Sequence, residues 1–231
     1  MLLGDADGGR GGLGGGAGGP GRGDEDEGAL GLEESLRLIE GQRAVTARRL
    51  WGGTALFCVP WGVAWLVGFG AFFLHYGLSE RPYGLISAEA ATAVLFAALL
   101  LALVATCYMV AKQGALTRGV SRQRGTMYGL SWFLAFAPMW LIAGHFAPLL
   151  HDAEASLLWA SLSVWIVSVL SMAGAAVWRH PPMFYLGVWI GVVNSAGVLA
   201  GPGWHSLLSS IAGGGGLILF GLLPRLGAGK A

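Results

Sequence analysis

Three histidines are the residues whose type and position could support chemistry: His75, His145 and His205. Each lies near the same end of a hydrophobic segment of the chain. Imidazole nitrogens bind transition metals, and an imidazole gains or loses a proton near neutral pH. The three therefore form a candidate outer-face site for a proton or a metal ion. Histidines at a membrane interface also occur without either role, so both interpretations stay open.

Asn194 is the most polar side chain in the middle of a hydrophobic segment. Its amide either forms a hydrogen bond to another helix, worth about 0.6 to 2 kcal/mol in a membrane, or contacts a substrate. Trp65 and Trp189 also lie deep within their segments, where an indole N–H needs an acceptor. These three residues are candidates for a polar pathway or for packing between helices.

These side chains are carried by six hydrophobic segments. The chain of 231 residues is 55% hydrophobic and only 12% charged, whereas soluble domains contain about 25% charged residues. A helix needs about 20 apolar residues to cross the hydrocarbon core of a bilayer. The sequence therefore predicts an all-α fold, a polytopic membrane bundle with six transmembrane helices. The predicted segments are residues 53–76, 90–111, 127–146, 157–178, 183–200 and 206–223.

None of the six segments contains Asp, Glu, Lys or Arg. No carboxylate is therefore present within them to bind Na⁺ or relay a proton. Paired-Asp, His-Glu-x-x-His and Ser-His-Asp arrangements are also missing from the segments, and the chain has no phosphate-binding loop of the Walker type. We expect neither an enzyme nor a bound cofactor. The formal net charge of +1 gives no reason to expect a nucleic-acid partner.

The basic residues predict the orientation of the segments. When the connections are assigned to alternate sides, 13 of the 14 Lys and Arg residues fall on one side, and the exception is Arg81. Short loops rich in Lys and Arg stay in the cytoplasm. We therefore expect a multi-pass protein of the plasma membrane, with both termini in the cytoplasm and the three histidines near the outer face.

Four regions follow along the chain. Residues 1–31 are a Gly-rich and acidic arm, which we expect to be disordered because it has little to bury. Residues 32–50 carry Leu32, Leu36 and Ile39 at helical spacing among charged residues, and they predict a short amphipathic helix on the cytoplasmic side. Residues 51–224 form the transmembrane domain, and residues 225–231 a short cytoplasmic tail.

Small residues predict where the helices approach one another, since helix packing in lipid depends on close backbone contact. The fifth segment has Gly187, Gly191 and Ser195 at four-residue spacing, and the sixth contains four consecutive glycines at 213–216. The second segment has neither Gly nor Pro, so we expect it to face lipid. Pro60 and Pro138 favour kinks in the first and third segments.

Two stretches carry a resemblance to known proteins. The run Pro60-Trp-Gly-Val-Ala-Trp-Leu66 and the run Ala200-Gly-Pro-Gly-Trp-His-Ser-Leu207 resemble a group of uncharacterised actinobacterial six-helix integral membrane proteins sometimes labelled "transporter". The resemblance covers residues 32–223. It implies membership of that group and little about mechanism, and it transfers no functional residue.

Two hypotheses of function remain from the sequence. The first is a small permease-like transporter with a path between the kinked first and third helices and the Gly-rich fifth and sixth. The second is a noncatalytic membrane subunit or scaffold, which assembles with partner proteins through its small-residue faces and cytoplasmic helix. The expected partners are the lipid bilayer and either a second copy of the chain or another membrane protein.

Overall fold

The computed structural model describes residues 57–78, 83–114 and 120–227, together with Gly31, Glu34, Leu36 and Arg37. The chain divides into two units, Met1–Arg48 and Arg49–Ala231. In the first unit, the four described residues are helical and exposed. Most of the predicted arm and amphipathic helix lies outside the described residues, as do residues 228–231 of the predicted tail.

The described part of the second unit is all helical. Six of its helices are long and apolar enough to cross a membrane, which confirms the predicted number of spans. The expected location of both termini in the cytoplasm stays a prediction. The helices are α1 (Phe57–Tyr76), α2 (Ala88–Gly114), α3 (Val120–Phe146), α4 (Asp152–Trp178), α5 (Pro181–Ala200), α6 (Pro202–Leu208) and α7 (Gly215–Gly227). A short 3₁₀ helix, Ala147–Leu149, follows α3.

The sixth span is one helix in three parts, because a π-helical turn over Ser209–Gly214 joins α6 to α7. A π-helical turn contains one more residue than an α-helical turn, and such turns occur mostly as single insertions. The turn begins four residues before the run of glycines at 213–216, so the predicted deformable stretch overlaps it. Helix α7 continues to Gly227, beyond the predicted end of the membrane domain at residue 224.

Local signals in the sequence set the connection between α4 and α5. Asp152 and Glu154 lie in the first turn of α4, where carboxylates interact favourably with the helix dipole. The helix ends at Arg179, whose φ of 52° is the left-handed conformation common at helix ends. Helix α5 then starts directly at Pro181, a residue well suited to the first position of a helix.

The core lies between α1, α4, α5 and the sixth span. In each of these spans, 33 to 39% of the most apolar stretch is buried, compared with 6% in α2 and 11% in α3. Helix α4 packs extensively on α5. The two least covered helices therefore lie at the margin of the bundle, α2 as its composition predicts. The main core cluster contains Cys58, Trp65, Phe69, Val164, Leu186, Ile190 and Leu217.

Helix α1 and the sixth span cross in backbone contact. A Cβ atom placed on Gly214 would lie 2.7 Å from the carbonyl oxygen of Gly62 and 2.7 Å from the amide nitrogen of Leu66. Only glycine leaves space for so close a crossing. The contact holds the π-helical turn directly against α1.

Candidate functional site

Asn194 and His205 form a buried polar pair between α5 and α6. The exposed fractions of the two side chains are 6% and 1%. The Nδ2 of Asn194 donates a hydrogen bond to the carbonyl oxygen of Ser161 in α4, at 3.1 Å. The Oδ1 of Asn194 lies 2.9 Å from the Nε2 of His205. The pair therefore links three spans by two hydrogen bonds.

These contacts also determine which nitrogen of His205 carries the proton. The amide nitrogen of Asn194 is oriented toward Ser161, so its oxygen is the atom that faces the histidine. An amide oxygen can only accept, and hence the Nε2 of His205 must donate. In the neutral imidazole the Nδ1 atom then keeps its lone pair as an acceptor.

The turn between α5 and α6 brings the pair together. Helix α5 ends at Ala200, and Gly201 alone, with φ of 96°, reverses the chain before α6 begins at Pro202. This tight turn places the first residues of α6 against the last turns of α5. A Cβ atom on Gly197 would lie 2.8 Å from the Cα of His205 and 2.9 Å from its ring, so the absence of a side chain there makes room for the histidine.

The π-helical turn lies immediately after this pair and is bonded to both neighbouring spans. The Nε1 of Trp189 in α5 donates to the carbonyl oxygen of Ala212 at 2.9 Å. The Oγ of Ser210 donates to the carbonyl oxygen of Leu66 in α1 at 2.8 Å. A regular helix uses its carbonyl groups internally, whereas this turn also accepts a hydrogen bond from α5. The turn is thus fixed from two sides.

Ser209, the first residue of the π-helical turn, has a completely buried side chain with an exposed fraction of 0%. Its Oγ atom has no hydrogen-bond partner among the residues that the structure describes. Ser209 follows His205 by four residues, so both belong to the same side of the helix. Buried polar groups are satisfied in the great majority of cases, and an exception calls for an explanation.

The three histidines predicted to form an outer-face site have different surroundings. The Nδ1 of His75 lies 2.9 Å from the carbonyl oxygen of Ile86. His145 is exposed at the end of α3, where its ring contacts Phe146. His205 is buried with Asn194. Within the described ranges, no three His, Cys, Asp or Glu residues are grouped so that they could hold a metal ion. The proposed proton or metal role stays a prediction.

The two candidate tryptophans also differ. Trp65 is buried, meets Phe69 edge to face at a centroid distance of 5.6 Å, and lies against Gly213 of the π-helical turn. Trp189 is exposed over 47% of its surface but keeps its indole hydrogen bond to Ala212. Trp65 contacts the π-helical turn from α1, and Trp189 contacts it from α5. Trp65 is also connected to the polar pair through Phe69, whose ring centroid lies 6.1 Å from that of His205.

Sequence reasoning named Asn194 and His205 for separate sites, and it missed Ser209 and Ser210 entirely. The available signal was the polar run Ser209-Ser210 in front of the glycines, one helical turn after His205. The cluster of Asn194, His205 and Ser209 contains hydrogen-bond donors and acceptors but no carboxylate or ammonium group. It is suited to binding a molecule by hydrogen bonds.

The chain matches no protein-family model, no curated protein and no solved structure.

Proposed function

We propose that this chain is a small permease-like protein of the plasma membrane, and that its solute passes the polar pair of Asn194 and His205. The observation that carries the proposal is the position of this pair, buried between three spans and adjoining a π-helical turn. Polar groups inside membrane spans often mark solute pathways. Turns of the π type are frequent at functional sites.

The helix that carries His205 has features of a moving element. Its π-helical turn is followed by Gly215 and Gly216, and Gly215 has no atom of another residue within 4 Å of where its Cβ would be. Irregular helices at membrane depth are tolerated where protein or a water-filled cavity surrounds them. In transporters, interrupted helices commonly contain the substrate site. A rearrangement at this turn would open the polar pair to one side.

The proposed orientation is the one that the basic residues predict, with both termini in the cytoplasm. In that orientation the turn at Gly201 lies at the outer face, because α5 runs outward and α6 inward. His205 then lies about 4.5 Å below the start of α6 at Pro202, at the helical rise of 1.5 Å per residue. The pair would be reached first from outside.

A second candidate is the noncatalytic membrane subunit, which a specific observation favours. Only 6% of the most apolar stretch of α2 and 11% of that of α3 is buried within the structure. Large side chains such as Phe96, Phe133 and Trp140 are more than half exposed there. Lipid alone can cover such faces, but a partner helix can as well. In this alternative the Asn194–His205 pair only fastens α4, α5 and α6 together.

Purification in a mild detergent followed by reconstitution distinguishes the two candidates. The permease proposal expects the chain to purify alone or as a homo-oligomer, and to speed the flux of at least one solute into liposomes compared with empty liposomes. A stoichiometric second protein, together with no flux of any tested solute by the chain alone, would contradict it and favour the subunit. The solutes should include urea, glycerol, amino acids, K⁺ and Cl⁻.

A further inference from the structure

The hydroxyl of Ser209 is an exception among the buried serines that the structure describes. Four others, Ser168, Ser171, Ser206 and Ser210, each donate to a carbonyl oxygen at 2.7 to 2.8 Å. Ser209 is as buried as any of them but donates to no described residue. Leaving such a group unpaired is unfavourable by about 1 to 3 kcal/mol. The hydroxyl has no accessible surface, so a molecule can bind to it only when the π-helical turn shifts to make room.

His205 adds a second group on the same side of the helix. Its Nε2–H is used by Asn194, so in the neutral ring Nδ1 is the acceptor. Side chains four residues apart on a helix have Cβ atoms about 5 to 6 Å apart. A molecule of three or four heavy atoms can therefore bridge the Ser209 hydroxyl and the His205 ring. It would accept from the hydroxyl and donate to the ring nitrogen.

The surroundings exclude a strongly charged occupant. Between Phe57 and Tyr76, and from Pro181 to Leu223, the described helices contain no Asp, Glu, Lys or Arg. In α4 the acidic residues are confined to its first turn. An ion at Ser209 would lose its hydration without gaining a counter-charge, which is strongly unfavourable. An uncharged molecule meets no such penalty.

We propose that Ser209 and His205 bind a small uncharged solute that both donates and accepts hydrogen bonds, of the size class of urea or glycerol. This inference rests on the proposed permease function and specifies its solute class. Ser209 supplies the donor, the ring of His205 supplies the acceptor, and Asn194 holds the ring in the tautomer that leaves Nδ1 as an acceptor. Asn194 is thus a positioning residue.

The test uses the full chain in proteoliposomes, with urea and glycerol as uncharged probes and K⁺ and Cl⁻ as charged ones. Stopped-flow light scattering follows entry of the uncharged probes, and ion-sensitive dyes follow the ions. We expect urea or glycerol to enter faster than into empty liposomes. Ser209→Ala and the similarly sized Ser209→Cys should both reduce this protein-dependent rate about fivefold to tenfold, the effect expected from losing one hydrogen bond.

Ser206→Ala is the matched control, because Ser206 is equally buried in the same helix but bonds to Pro202 of its own turn. Its rate should stay within twofold of wild type. Each variant is checked for a single size-exclusion peak and for an unfolding temperature no lower than that of wild type, and Ser209→Cys serves if Ser209→Ala does not fold. Wild-type rates in both Ser209 variants would overturn the inference. Ion flux without urea or glycerol flux would overturn the uncharged class but leave the permease, whereas no flux of any solute would refute both.

Discussion

Replacing Gly214 by alanine tests whether α1 and the sixth span cross as closely as described. The added methyl group would lie 2.7 Å from the carbonyl oxygen of Gly62, 2.7 Å from the amide nitrogen of Leu66 and 3.1 Å from its Cα. All three atoms belong to the backbone, so no side chain can turn aside to make room. The two helices must move apart, and the hydrogen bond from Ser210 to Leu66 is then lengthened or lost.

The expected magnitude follows from two opposing effects. Overpacking a tight contact is unfavourable by about 1 to 3 kcal/mol, whereas replacing glycine by alanine in a helix is favourable by up to about 1 kcal/mol. Gly215→Ala is the matched control, since a Cβ atom there meets nothing within 4 Å. The control should be neutral or stabilising. We therefore expect Gly214→Ala to be less stable than Gly215→Ala by about 2 kcal/mol.

The assay is reversible unfolding in mixed micelles with increasing dodecyl sulfate, followed by tryptophan fluorescence. The ten tryptophans together report on unfolding of the bundle, and one of them, Trp65, lies against Gly213 at this crossing. The midpoint and slope of the transition give the free energy of unfolding for each variant. If the two alanine variants had the same stability within error, the helices would not cross in backbone contact and the reasoning would fail.

Three further predictions concern the topology, the polar pair and one contact between α3 and α4. Reporter fusions placed after Leu149 and after Arg122 should report the outside and the inside respectively, and the reverse pattern would contradict the orientation. Solid-state NMR of protein labelled with ¹⁵N-histidine, with the His205 signal assigned by comparison with a His205→Gln variant, should show His205 protonated at Nε2 and unprotonated at Nδ1. Asn194→Leu should alter that signal. An unprotonated Nε2 would disprove the hydrogen bond to Asn194. Tyr128→Phe removes a 2.8 Å hydrogen bond from α3 to a carbonyl oxygen of α4, so the free energy of unfolding should fall by about 0.6 kcal/mol, and unchanged unfolding would mean that the contact contributes nothing.

The helices could be predicted from the sequence because the bilayer imposes a length and a composition on each of them. The predicted fourth, fifth and sixth segments all lie within the observed spans, and the main differences are at their ends. Those ends depend on polar residues such as Asp152, which extends α4 outward beyond its apolar part. Hydropathy does not detect a helical turn made of charged residues.

The site could be predicted only in pieces. Asn194 and His205 were both selected for their polarity, but hydropathy and spacing contain no information on which helices face one another. Their pairing depends on the one-residue turn at Gly201 and on the missing side chain at Gly197. The partnerless hydroxyl of Ser209 depends on the local π geometry, which no periodicity in the sequence indicates.

The most direct test of the proposed function is a double-mutant cycle on Asn194 and His205, with solute flux in proteoliposomes as the readout. If the solute passes the pair, Asn194→Ala and His205→Ala should each reduce the protein-dependent flux about tenfold, equivalent to about 1.4 kcal/mol. The double variant should lose no more than either single variant, because the two residues act as one unit. Ser171→Ala in α4, whose hydroxyl bonds only within its own helix, should keep the wild-type flux. Wild-type flux in correctly folded Asn194→Ala and His205→Ala proteins would contradict the account.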